Sequence, residues 1–455
     1  MKKGDIIRLS ISDLNNLGSG VGRADDGRVV FVRGAVTGDT VDAKIIKVNS
    51  KFYVGRLEGI VEPSENRTKE HFCDAPEACG GCIYRHIIYE HELELKRGYV
   101  ENAFKKAGLP DVKVEHVLST GEICGYRNKA QFPVRNVKSK PTPGFFAVKT
   151  HDLIPVTACR LQPKMFSEIA KTVCEMAAAR GISAYDEERG TGVLRHVYIR
   201  YGEATGEVMV CLVVNEEHGA LNEDFARELA ERYPNIVSFM LNFNRKITNE
   251  ILGDEFSCIY GRDYIEDELC GVRFIVTADS FWQVNHKGAE LLYSEARRRA
   301  GMTGGTLLDL YCGTGSIGLT MAKDADRLIG IEIVPGAVEC AKKNALINGI
   351  ENAEFYCGDA SDSEGIIASA EKITGKIDAD VVVLDPPRKG STPELIGYLA
   401  QRKIKKIVYV SCDPVTLARD CKLFSELGYS IGTVTPVDMF PRTGHVESVV
   451  CLTRR

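Results

Sequence analysis

The chain has 455 residues, of which 44% are hydrophobic and 27% charged, with a formal net charge of -5 from 58 basic and 63 acidic side chains. That composition excludes a disordered or fibrous protein, and length alone suggests about three domains. No run approaches the roughly 18 uninterrupted apolar residues that cross a bilayer. Asp5, Arg8 and Asp13 interrupt the first thirteen residues, which argues against a secretory leader and makes the cytoplasm the expected compartment.

Residues 1–60 contain short β-like runs at 5–11, 28–32, 40–48 and 53–59, punctuated by glycines at 18, 20, 22, 27, 34 and 38. Close-spaced strands with glycine turns predict a small β-barrel. GSGVGR at 18–23 is a poor dinucleotide loop, because a strand and not a helix follows it. Residues 1–59 hold ten Lys/Arg and seven Asp/Glu, a basic excess of three that permits a nucleic-acid partner although the chain as a whole is acidic.

Residues 61–70 are polar and read as a linker. From 70 to 270 the pattern is mixed. Helical periodicity covers 83–107 and 163–180, strand-like runs cover 195–200, 207–214 and 236–242, and 136–149 suggests a hairpin or loop. Fifteen cysteines are many, and their odd number argues against a disulfide framework. Cys73, Cys79 and Cys82 are spaced C-x5-C-x2-C around a Gly-Gly turn, a pattern unusual for core packing. A fourth thiolate is expected, Cys159 first and Cys124 as its rival. Spacing does not separate zinc from an iron–sulfur cluster.

From 275 to 455 strands and helices alternate, with strands expected at 306–311, 327–333, 353–357, 381–385, 407–411, 431–437 and 446–452. This rhythm predicts an α/β domain with a parallel sheet, the last two strands forming an antiparallel edge pair. DLYCGTGSIG at 309–318 follows a strand and opens a helix, a turn that brings a ligand against bare backbone. Glu332, at the end of the next strand, suits ribose hydroxyls. A nicotinamide cofactor or S-adenosylmethionine would fit; the acidic Asp309 favours the cationic one, and the loop resembles motif I of class I methyltransferases. Asp359 follows the third strand, Asp385 opens DPPRKG after the fourth, and Gln283 lies just upstream. Cys412, in SCDP after the fifth strand, precedes a helix whose N-terminus would lower its thiol pKa. Glu447, in FPRTGHVESV, is an acid among apolar residues, suited to taking a proton.

DLYCGTGSIG, GDA, DPPR, SCDP and GHVESV in this order resemble the RNA uracil-5-methyltransferase family over essentially the whole chain. The N-terminal barrel resembles an OB-like TRAM domain. The resemblance implies a TRAM barrel over 1–60, a central α+β iron–sulfur domain over 70–270, and a Rossmann-like class I methyltransferase domain over 275–455. It implies Cys412 as nucleophile and Glu447 as base. It also implies cofactor contacts from Gln283, Tyr311, Gly313, Ser316, Glu332 and Asp385, with Asp359 alongside; Ser316 stands where many relatives have Asn. Cytosine-5 enzymes carry a Cys after proline where this chain reads DPPRKG. The family's ribosomal branch implies a [4Fe-4S] cluster on Cys73, Cys79, Cys82 and Cys159. Because the transfer RNA branch usually lacks barrel and cysteines, 23S ribosomal RNA is the expected substrate. Transfer RNA and a non-catalytic assembly factor are the alternatives. Arg127, Lys129, Phe132, Arg135 and Phe281 are candidate RNA contacts. No membrane and no stable protein partner are expected.

Overall fold

A computed structural model describes residues 1–155, 158–359, 371 and 377–455. Strands β1 (Ile6–Leu14), β2 (Ser19–Arg23), β3 (Val29–Arg33), β4 (Thr40–Val48) and β5 (Phe52–Glu62) close a barrel in the order β1-β2-β3-β5-β4. Alternate residues point inward, so Leu9, Ile11, Val30, Val32, Val41, Ala43 and Ile45 fill the interior. Ser19–Arg23 of GSGVGR is therefore a strand, and only Gly18 (φ 76°) belongs to the turn before it. Gly20 and Gly22 face neighbours so close that a Cβ would meet Ile11 at 2.9 Å and Leu9 at 2.3 Å. The polar linker is anchored: buried Asp39 accepts the N–H groups of Val36 (2.7 Å) and Ser64 (2.8 Å) and pairs with Arg67 (2.5 Å).

The helix expected from 83 starts later, as α1 (Tyr89–Lys106). Before it, the N–H of Ile88 is drawn to Asn66 O (2.9 Å), which diverts it from the bond to Tyr84 O that a helix from 83 would make. Val100, Ala103 and Phe104 of α1 share an apolar cluster with Leu308, Tyr409, Leu417 and Phe424, so α1 packs on the C-terminal region.

Seven strands form the central sheet: β6 (Lys129–Val137), β7 (Lys140–Phe146), β8 (Leu153–Pro155), β9 (Leu194–Tyr201), β10 (Val208–Val214), β11 (Ile236–Phe243) and β12 (Glu255–Gly261). Their order is β12-β11-β10-β9-β6-β7-β8. The hairpin expected within 136–149 is β6–β7, turned by Lys138 (φ 50°) and Ser139 (φ 63°). Helices α2 (Lys164–Ala179) and α3 (Glu223–Arg232) cover one face. On the other, Tyr198, Met209, Cys211 and Met240 join Trp282 and Leu292 in one cluster, which explains why VMVCLVV of β10 is apolar throughout. The hairpin of β13 (Tyr264–Leu269) and β14 (Val272–Thr277) lies between.

The C-terminal sheet contains β15 (Thr306–Leu310), β16 (Arg327–Glu332), β17 (Ala353–Cys357), β18 (Val381–Leu384), β19 (Lys406–Ser411), β20 (Tyr429–Ile431), β21 (Thr435–Val437) and β22 (Glu447–Arg454). Its order is β17-β16-β15-β18-β19-β22-β20. The first five are parallel and β22 is antiparallel to β19. The expected edge pair differs in detail: the run 431–437 divides into β20 and β21, and β22 is inserted between β19 and β20. Helices α4 (His286–Ala300), α5 (Ser316–Met321), α6 (Pro335–Ile347), α7 (Pro393–Gln401) and α8 (Pro414–Glu426) flank the sheet. Strand order reverses between β15 and β18, the position where α/β sheets open a ligand crevice.

Candidate active site

Beyond β15 the backbone turns through three left-handed residues, Tyr311 (φ 65°), Gly313 (φ 55°) and Gly315 (φ 81°), before α5 begins. For Tyr311 that conformation carries strain of about 1 kcal/mol. Two carboxylates fix the turn. Glu332 accepts the N–H of Gly313 at 3.1 Å and that of Val334 at 2.9 Å. Asp309 lies beneath, its Oδ2 accepting the N–H of Gly318 at 2.9 Å. Asp309 does not line the cavity, so its value as a marker of a cationic ligand is lost; burial pushes its carboxyl up to about 8. Gly318 is required, because a Cβ there would stand 2.7 Å from Asp309 Oδ2.

A cavity of ≈ 1220 Å³ opens above this turn. Gln283, Tyr311, Gly313, Glu332, Asp359 and Asp385 line it together with Cys412 and Glu447. Thus residues from seven separate segments of the chain face one space. Ser316 is not among the lining residues; its hydroxyl is 3.0 Å from that of Tyr293.

Two acids of this cavity, Glu447 and Asp385, have their neutral forms favoured by burial. Glu447, 5% exposed, is pushed up to about 8 by burial and by Asp385, with Arg388 opposing. Burial likewise raises Asp385 to about 7. The thiol of Cys412 is raised to about 11 by burial, then by Glu447 and Asp385, and Arg388 again opposes. The expectation that a helix N-terminus lowers this thiol is not met. The side chain of Asp413 caps α8, accepting the N–H groups of Val415 (2.8 Å) and Thr416 (3.1 Å), so a carboxylate has taken those donors.

Three further lining residues escaped sequence reading. Arg388 follows the two prolines of DPPRKG, and its charge is the one that favours both the thiolate and the carboxylate. Phe440 and His445 form an edge-to-face pair with ring centres 6.0 Å apart. Their segment is pinned by Arg442 (φ 70°), whose N–H donates to Glu92 Oε1 at 2.7 Å and whose guanidinium donates to Ile87 O at 2.9 Å.

Residues 89–455 match the family model described as tRNA (uracil-5-)-methyltransferase, and residues 1–57 match the TRAM domain. The chain belongs to the tRNA (uracil-5-)-methyltransferase family. It is therefore an enzyme, an RNA methyltransferase. It is 40% identical to proteins described as uncharacterized RNA methyltransferases from Clostridium acetobutylicum, over 100% of this chain and 98% of the relative, and from Listeria monocytogenes, over 99% and 98%. It also resembles the crystal structure of Pyrococcus abyssi tRNA (uracil-54, C5)-methyltransferase in complex with S-adenosyl-L-homocysteine. That likeness has a TM-score of 0.78 and 27% identity, and covers 98% of this chain and 99% of the other.

In this methyltransferase the early cysteines lie apart from the cavity, around Phe72, Tyr126 and Leu161, with Cys73, Cys82, Cys124 and Cys159 packed against them. None of them is in a disulfide. Burial, then Cys159, Cys73 and Cys79, push Cys82 up to about 12. The thiol of Cys159 is raised by burial and by Cys79 and Cys73, while the N–H groups of Leu161 and Gln162 point at its sulfur. Those four thiols thus act on one another. Among the described residues no three His, Cys, Asp or Glu side chains converge closely enough to hold a metal ion. The donor chemistry fits a thiolate-bound cluster; the arrangement of the sulfurs is not that of a closed metal cage.

Proposed function

We propose that the protein methylates C5 of a uridine in RNA, with S-adenosylmethionine as methyl donor. The observation that carries this reading is the single cavity shared by a thiol, a buried carboxyl and a glycine turn bounded by Glu332. C5 of uracil is too weak a nucleophile to attack a methyl sulfonium unaided. Addition of the Cys412 thiolate to C6 places electron density on C5, and C5 then takes the methyl group. Glu447 removes the C5 proton, the C5–C6 double bond re-forms, and the sulfur leaves with its electron pair. Arg388 supplies the positive charge that favours the thiolate at the start and the carboxylate at the end. Gln283, Tyr311, Gly313, Glu332, Asp359 and Asp385 are assigned to the methyl donor. Ser316 has the weaker claim, since its hydroxyl faces Tyr293. A non-catalytic assembly factor would not need Cys412 and Glu447 facing one space.

The target assigned is 23S ribosomal RNA, read from the barrel and the cysteine pattern. A second reading, transfer RNA, is favoured by one observation: a transfer RNA enzyme matches this chain over 98% of its length, so a barrel-sized N-terminal region does not by itself mark the ribosomal branch. Incubation with labelled S-adenosylmethionine and separate 23S and transfer RNA, followed by nucleoside mapping, decides between them. 5-Methyluridine in neither RNA would overturn the proposed reaction.

Cys73, Cys79, Cys82 and Cys159 are assigned to a [4Fe-4S] cluster, which would brace the region between barrel and central sheet. Cys159 is preferred to Cys124 because it is the one that acts on Cys82. Anaerobically purified protein should contain iron and acid-labile sulfide; a colourless protein with one zinc would remove the assignment.

A further inference from the structure

Three cations stand together beside the cavity. Arg127 and Lys129 alternate with Asn128 and Ala130, so their side chains share one face of β6 and its approach. Lys129 stands opposite Arg200 on β9. Burial, and then the like charges of Arg200 and Arg127, bring the Lys129 ammonium down to about 8. No ion pair among the described residues involves any of the three.

Arg200 has a visible task. Its Nε donates to the Tyr198 hydroxyl at 2.6 Å, and its Nη2 donates to Ala278 O at 3.2 Å and to Ser280 O. Asn128 donates its side-chain N–H to Gln283 O at 2.9 Å and its backbone N–H to Val284 O at 2.9 Å, and Arg127 bridges to Asn285. The central sheet thereby holds a strap, residues 278–285, that brings Ser280, Phe281 and Gln283 to the cavity wall. Phe281 is 69% exposed there. Asp279 is the acid of the strap, and it accepts the Thr277 hydroxyl at 2.7 Å.

Lys129 is not consumed in this way, and Arg127 is engaged only in part, through the Tyr126 hydroxyl. Arg127 keeps a buried Nε without a partner and lies within electrostatic reach of His445 on the cavity wall. Half-buried cations that repel one another cost stability until an anion arrives. A phosphodiester is an anion that a bound nucleotide necessarily brings with it. We propose that Arg127 and Lys129, backed by Arg200, form a phosphate subsite that grips the RNA backbone next to the nucleotide seated in the cavity. The exposed Phe281 ring beside them is placed to stack on a neighbouring base. This inference rests on the reading that RNA is the substrate.

The test uses the full-length protein and Lys129→Gln and Arg127→Gln variants, a fluorescent single-stranded RNA oligonucleotide, and salt from about 50 to about 300 mM. Each variant should bind about 5- to 10-fold more weakly near 150 mM salt, with the slope of log affinity against log salt shallower by ~0.7, the value for one lost single-strand phosphate contact. S-adenosylhomocysteine binding, measured in parallel, should stay within about twofold, and Lys129→Arg should restore RNA binding. Unchanged affinity and slope would overturn the subsite, as would weaker binding with an unchanged slope. Loss of S-adenosylhomocysteine binding as well would also overturn it, by making these side chains supports of the strap. Replacing the diesters beside the uridine with neutral methylphosphonates tests the wild-type protein directly; equal affinity for both RNAs would overturn the proposal. Failure of the wild-type protein to bind any RNA would overturn the underlying reading, and is recognised because it appears without substitution.

Discussion

Glu447 acts on Cys412 through space: after burial, its carboxylate is the largest influence holding that thiol protonated. The same carboxyl is itself raised to about 8 by burial and Asp385. An ionised Glu447 therefore suppresses the charged form of the group assigned the opposite task in the reaction. A thiolate forms most readily when Glu447 is neutral, and Glu447 receives a proton only when ionised. Arg388 relieves both, and a sulfonium in the same cavity would do so again.

Cys412→Ala should abolish methyl transfer, by at least about 10⁴-fold, since covalent addition supplies the only activated C5. RNA and S-adenosylhomocysteine affinities should change less than about threefold. Single-turnover transfer from labelled S-adenosylmethionine checks this, and near-normal turnover would sink the nucleophile assignment.

Glu447→Gln should let addition and methylation proceed and then stall elimination, leaving a protein–RNA adduct that survives a denaturing gel. Freely released, fully methylated RNA would count against Glu447 as base. The same substitution removes a negative neighbour, so the Cys412 thiol should titrate below its wild-type value of about 11, read from the pH dependence of alkylation against a Cys412→Ala blank.

Glu447 also makes a stability prediction. Its folded pKa, about 8, lies above the ordinary 4.5, so ionisation is harder in the folded chain. The cost is absent below about pH 4.5, grows as pH rises, and levels off above about 8. Glu447→Gln should therefore raise the melting temperature at pH 8 by more than at pH 5. An equal shift at both would show that the buried carboxyl does not titrate in this window.

Much of this was legible in the sequence because it is local. The strand–glycine–helix turn at 309–318, the acid at 332 and the thiol at 412 each announce themselves by neighbours a few residues away. Gly20 and Gly22 were misread as turns because what demands them is Leu9 and Ile11 across the barrel. The raised thiol of Cys412 was hidden likewise. Its causes are burial, then Glu447 and Asp385, with the helix cap already taken by Asp413, and no window of the chain contains them all. The late start of α1 has the same origin, since Asn66 claims the N–H of Ile88 that a helix from 83 would use.

Gly318→Ala should damage the donor site without unfolding the domain. The added Cβ meets Asp309 Oδ2 at 2.7 Å, on the buried underside of the turn. Relief requires moving the N–H of Gly318 away from that oxygen, which shifts Gly313 and Glu332. S-adenosylhomocysteine binding should weaken by about 10- to 100-fold, equivalent to roughly 1.4–2.7 kcal/mol. Calorimetric titration reads it; unaltered affinity would mean that the turn does not carry the donor.

Lys96 ties the segment that carries Asp438 and Phe440 to α1. Its Nζ donates to Glu92 at 2.8 Å, to Asp438 at 2.7 Å and to Phe440 O at 3.1 Å, and it is 2% exposed. Glu92 in turn accepts the N–H of Arg442. Lys96→Met leaves two buried carboxylates with one fewer cation, a loss of about 3–5 kcal/mol for breaking such a pair. Thermal unfolding should show it directly. Because Phe440 and His445 line the cavity, methyl transfer should fall as well. Adding Asp438→Asn removes one stranded charge and should recover part of the stability. A double variant no more stable than Lys96→Met would show that packing, and not charge balance, sets the position of this loop.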